Sequence, residues 1–232
     1  RPMSASANTI DIAFHRRELE QAWQRSDQLF ELLTPQAWSQ RPIALRHPFV
    51  FYLGHLPAFA WNQIGGGLLE QGRFPPVFDE LFERGIDPDD AGDLTPTTIA
   101  WPTVAEIIAY RNGVRQAVLD SFAAVQSRAA DDVLAAGGRI YRLVVEHELM
   151  HHETLMYMFE QLDPAYKRRP KDLLPLPKGS TASSTPVAIP GGPTTIGADF
   201  EAQPFGWDNE FPALHSEVPA FRIDSLPVTV NE

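Results

Sequence analysis

Three histidines and two glutamates crowd into the twelve residues HELMHHETLMYM, His147 to Met158. On a helix, positions four apart share a face, so His147 and His151 would offer two imidazole nitrogens to one ion about a turn apart. The same stripe carries Ile140, Val144, Leu155 and Met158, which turns the pair toward a core rather than toward water. His152, about 100° around the axis from His151, falls off that stripe. One histidine on an apolar face is most simply a core residue satisfied by hydrogen bonds. Two at this spacing favour metal ligation.

A third ligand is best sought at His55, in FYLGHLPAFAWN, where it is a polar residue in the most apolar segment of the chain. An imidazole buried there without a partner would cost on the order of 1–3 kcal/mol. Facing helices commonly build metal sites from such side chains. Three neutral imidazoles leave coordination positions open for water, substrate or dioxygen, as a catalytic ion requires. The remaining histidines, His15, His47 and His215, stand in polar surroundings and are read as surface or structural residues. Arg46, Tyr52, Trp61, Arg111 and Arg115 could line such a site, but each is as readily packing or surface.

His147-Glu148-Leu149-Met150-His151 also fits the HExxH pattern of zinc proteases letter by letter. The H-x-x-G-x-x-H extension is absent. Glu160, the carboxylate near the end of the same segment, lies too far along the axis to close the site at about 1.5 Å per residue. The short motif is therefore read as a chance match.

The elements that must position these residues follow from hydrophobic periodicity. Residues 9–33 are amphipathic and stop at Thr34-Pro35, Phe49 to Ile64 is apolar almost all round, and 75–84 form a short amphipathic helix before the turn-rich GIDPDDAGDLTP. Thr103 with Glu106 reads as a capping box opening a helix to about Arg128, and Gly138 to Leu162 forms the last helix, ended by Asp163-Pro164. An antiparallel four-helix bundle over residues 1–166 is the economical arrangement. Residues 167–186 are rich in proline and small polar residues and read as a linker. From 187 to 232 come short β-prone stretches broken by Gly and Pro, the beginning of a second domain.

Composition narrows the chemistry. The 232 residues are 44% hydrophobic and 21% charged, ordinary for a globular protein. A net charge of −11 offers no footprint for nucleic acid or an anionic membrane, which leaves small molecules as the expected partners. With no cysteine, a metal must be held by His, Asp or Glu. No apolar run is long enough to span a bilayer and the stretch RPMSASANTIDIAFHRR lacks the apolar run of a signal peptide, so a cytoplasmic protein is expected. A start without Met and an end at PVTVNE predict a fragment or a trimmed chain.

These residues also carry a family resemblance. Gly54-His55, the HxxxHxE string of His147, His151 and Glu153, the proline-rich linker, and then IPGGPTTIGAD and DNEFPALHSEVPAFRIDSLPVT together resemble the ergothioneine sulfoxide synthases. Those enzymes join a DinB-like helical bundle to an α+β formylglycine-generating-enzyme-like, or C-type-lectin-like, domain. The resemblance implies non-haem Fe(II) held by His55, His147 and His151, with O2 as co-substrate. It implies C–S bond formation between cysteine or γ-glutamylcysteine and the imidazole of hercynine, giving a sulfoxide. Glu153 would then be a supporting or structural residue. The family's catalytic tyrosine and much of its hercynine pocket would belong to the second domain beyond residue 232, so the remainder of that domain is itself an expected partner.

Two departures bear on substrate. Where γ-glutamylcysteine enzymes carry two arginines, this chain has RGIDPDD, whose Asp87, Asp89 and Asp90 would repel a carboxylate, so cysteine is the favoured sulfur donor. Met150 stands where the family often has a glutamine near hercynine. The sister family that makes 5-histidylcysteine sulfoxide on the ovothiol route shares the ligands and remains an alternative. So do a DinB-type thiol-dependent metalloenzyme and a non-catalytic metal-binding fragment.

Overall fold

The computed structural model describes residues 9–72, 75–83, 100–170, 175, 183–203 and 205–229. The chain divides into two compact units, Arg1–Lys171 and Asp172–Glu232.

The first unit is helical. Its elements are α1 (Ile12–Glu31), α2 (Phe49–Trp61), α3 (Pro76–Phe82), α4 (Val104–Asp120), α5 (Phe122–Arg128) and α6 (Arg139–Gln161). Asp11 caps α1 by accepting from the Phe14 amide. The Thr103/Glu106 capping box opens α4 as its letters predict. The single helix expected from 103 to 128 is interrupted at Ser121, whose hydroxyl bonds back to the Val118 carbonyl and, at 2.7 Å, to Tyr141 on α6. A serine with a buried partner of this kind competes with the helical ladder.

α2 lies at the centre. Every residue of it but Phe59 is buried, as an all-round apolar sequence requires. It packs against α3, α4 and α6, while α1 packs against α6. Past Trp61 the backbone widens into a π-helical turn, Asn62–Leu68, where three consecutive glycines ease the departure from α-geometry. On α6 the stripe Ile140, Val144, His147, His151, Leu155 and Met158 is buried throughout. His15 and His47, expected in polar surroundings, are instead buried. His15 Nε2 bonds the Gly137 carbonyl at 3.1 Å, and the His47 ring lies 4.0 Å from that of Phe51.

Much of the 167–186 linker, and the whole RGIDPDD stretch with Asp87, Asp89 and Asp90, lie outside the described residues. Among its described residues the second unit has four short strands, β1 (Pro186–Ile189), β2 (Gly192–Ile196), β3 (Leu214–Val218) and β4 (Phe221–Asp224). β1 pairs antiparallel with β4, Pro186 opposite Asp224, and β2 with β3, Gly192 opposite Val218. The ribbon breaks at Pro190-Gly191 on one side and Pro219-Ala220 on the other, where proline cannot donate to a ladder. A Cβ at Gly191 would meet the Ala220 nitrogen at 2.7 Å, so the two segments approach this closely only with glycine there.

Candidate metal centre

His55 comes from the middle of α2, and His147 and His151 from consecutive turns of α6. One ring nitrogen from each lies within 4.8 Å of the others. The ring centroids are 5.1 Å apart for His55 and His147, 4.9 Å for His55 and His151, and 4.5 Å for the α6 pair. All three are buried.

Each ring is held differently. His55 Nδ1 sits 2.7 Å from the Phe82 carbonyl at the end of α3. A carbonyl only accepts, so Nδ1 carries the proton and Nε2 keeps its lone pair. His147 is stacked face to face on Phe59, 3.5 Å between centroids at 8°. Phe59 is four residues on from His55 along α2. The buried Tyr52 ring lies 5.5 Å from that of His151. His151 Nδ1 is buried with no hydrogen-bond partner among the described residues.

Burial depresses all three imidazoles, because a charged ring in an apolar surround loses its hydration. His147 is held at about 2, by burial first and then by the charges that His151 and His55 would carry. His151 is held at about 3, by burial, then His55, Arg46 and His152. His55 is lowered by burial, against the opposing pull of the Phe82 carbonyl. Near neutral pH the cluster therefore presents three uncharged imidazoles, the form in which histidine binds a metal. An orphaned buried nitrogen on His151 and three converging neutral rings fit an ion of the imidazole-binding class, such as iron, copper, nickel or zinc.

The three histidines open onto a cleft of about 460 Å³, lined also by Phe59, Asn62, Gln63, Glu83 and Met150. Asn62 and Gln63 reach it because the π-helical turn begins at Asn62. Of these neighbours Met150 was singled out from the sequence, while Phe59, Asn62, Gln63 and Glu83 were missed. Only Phe59, on the His55 face at i+4, carried a periodic signal.

The remaining motif residues lie elsewhere. Glu148, which a zinc protease would use as general base, faces α1, where it accepts a bond from Ser26 Oγ. Ser26 Oγ also lies 2.7 Å from His152 Nε2. Burial pushes the Glu148 carboxyl above its ordinary range, partly offset by the Ser26 bond and by Arg115. Arg111 and Arg115 both bond Asp27 at 2.8 Å, Arg46 bonds the Tyr157 hydroxyl, and Trp61 Nε1 donates to the Gly72 carbonyl at 3.1 Å. Glu153 is exposed, as is His215 with a 3.1 Å contact to Thr195.

A family model described as the DinB superfamily matches residues 18–155. The chain is similar to ergothioneine biosynthesis protein 1 of Neurospora crassa, 34% identical over 92% of this chain and 26% of that protein. A hercynine oxygenase of Mycolicibacterium smegmatis is 29% identical over 81% of this chain and 42% of its own length. Ergothioneine biosynthesis protein 1 of Schizosaccharomyces pombe is 26% identical over 82% of this chain and 28% of its own. The chain thus spans between about a quarter and two fifths of the length of these relatives. The resemblance drawn from the Gly54-His55 and HxxxHxE motifs is the one these relatives bear out.

Proposed function

For a chain that belongs to the DinB superfamily, we propose the role of metal-bearing part of a non-haem iron(II), O2-dependent sulfoxide synthase of ergothioneine biosynthesis. In this reading residues 1–166 are a four-helix bundle and residues 187–232 begin a formylglycine-generating-enzyme-like domain. The reaction is C–S bond formation between cysteine and the imidazole of hercynine. The observation that carries the reading is the convergence of three buried, neutral imidazoles within 4.8 Å at the floor of an open cleft. The names of the relatives point the same way.

His55, His147 and His151 would hold the ion. Iron(II) bound there would supply open coordination positions for a thiolate and for dioxygen, together with the redox change that the oxidation needs. The protein's part is to keep the three rings unprotonated, to fix the His55 tautomer through Phe82, and to wall the cleft with Phe59 against water. Asn62, Gln63 and Glu83 give the cleft its polar lining. The acidic Asp87, Asp89 and Asp90 favour cysteine over the more anionic γ-glutamylcysteine. Groups completing catalysis are assigned to the remainder of the second domain, and a cytoplasmic setting suits both thiol and ferrous iron.

The test is anaerobic loading with ferrous iron, followed by oxygen uptake in the presence of hercynine and cysteine with mass spectrometry of the product. One equivalent of iron and thiol-dependent oxygen consumption are expected, with binding lost in His55→Ala and His151→Ala. Stoichiometric binding retained in both variants would sink the three-histidine assignment. Zinc-dependent thiol transfer without oxygen would favour the thiol-transferase reading instead.

A further inference from the structure

We propose that Asp79 and Tyr110 are positioning residues for His55, acting through helix α3. The proposal rests on the metal-site reading above. α3 is seven residues long, too short to persist without tertiary support, yet its last residue supplies the carbonyl that orients His55. What holds α3 in place therefore decides how His55 is presented.

Two attachments are on hand. In the middle of α3, Asp79 is 0% exposed and accepts a hydrogen bond from the Tyr110 hydroxyl on α4. The Tyr110 phenol is raised well above its ordinary value, by burial first and then by the bond to Asp79, so it remains a donor at any physiological pH. Around this bond the rings interlock, with Phe78 edge-on to Tyr110 at 5.2 Å and Phe82 stacked on Trp101 at 6.0 Å.

The second attachment is the close approach of α3 to α2. A Cβ on residue 54 would meet the Phe82 ring at 2.4 Å, so the contact exists only because that residue is glycine. Gly54 admits the Phe82 ring and, one residue on, His55 bonds the Phe82 carbonyl. The Gly54-His55 dipeptide and α3 thus form one fitted joint. The Tyr110–Asp79 bond sets its rotation, and with it the direction of the His55 Nε2 lone pair.

Tyr110→Phe tests this, because it removes the hydroxyl and keeps the ring packing. Tyr141→Phe is the control. It deletes a comparable buried hydroxyl, 2.7 Å from Ser121 Oγ at the C-terminal end of α4. Anaerobic titration with cobalt(II) should give one equivalent bound by the wild type and by Tyr141→Phe with equal affinity. Tyr110→Phe should bind about tenfold more weakly, the scale on which partners of metal-bound histidines act. In the metal-free protein, nitrogen NMR should show His55 with a slowly exchanging Nδ1–H in wild type and control, and faster exchange in Tyr110→Phe. Equal affinity and equal exchange across all three would overturn the positioning role. A wild type that takes up no cobalt would instead overturn the metal reading, and the exchange measurement still decides whether Tyr110 positions His55.

Discussion

Acidifying the metal-free protein should destabilise its helical unit far more steeply than an ordinary surface histidine would. His147 and His151 have an ordinary value of 6.5 and are held at about 2 and about 3 in the fold. A base whose folded pKa is depressed contributes a stability that is complete above the unfolded pKa. It is lost as pH falls below that value, because only the unfolded chain takes up the proton. From about pH 7.5 to about pH 5 the folded rings stay neutral while the unfolded ones charge, which costs about 2 kcal/mol each and about 4 kcal/mol together. His55 is shifted in the same direction and adds to the loss. Glu148 works the other way: its raised carboxyl value favours the folded state at low pH. Comparison with His147→Gln/His151→Gln cancels that opposing contribution. The assay is urea unfolding followed by circular dichroism at both pH values. With a slope of about 2 kcal/mol per M, the wild-type midpoint should fall by roughly 2 M more than that of the double variant. Equal midpoint shifts in the two proteins would show that these rings are not held neutral by burial, and the reasoning would fail.

Two substitutions probe the supports of the site. Gly54→Ala must displace the Phe82 ring that a Cβ would meet at 2.4 Å. A loss of about 1–3 kcal/mol is expected in urea unfolding, and a neutral result would mean that α3 is not fitted against α2 as described. Ser26→Ala strips the shared hydroxyl from buried Glu148 and from His152. It should cost about 1–3 kcal/mol while leaving metal stoichiometry by elemental analysis unchanged, and loss of the metal would place this network in the site rather than behind it.

Some of this was legible from residue order alone. Spacing put His147 and His151 on one buried stripe of α6 because helix periodicity is a local property, and Thr103 with Glu106 announced the start of α4 for the same reason. His55 stood out as a polar residue in an all-apolar helix, where burial demands a partner. The absence of cysteine reduced any metal's protein ligands to His, Asp and Glu.

The rest depended on contacts between residues far apart in the chain. That His55 Nδ1 donates to Phe82, leaving Nε2 for a ligand, follows from the docking of a seven-residue helix whose own sequence says nothing of its neighbour. HExxH spacing made Glu148 available as a general base, and only the packing of α6 on α1 turned it to Ser26 instead. His15 looked polar from its sequence neighbours and was buried against Gly137 and Tyr141, remote from it in the chain. Local order determined which side chains could meet. Long-range packing, which fixes helix rotation, tautomer and burial together, decided which of them did.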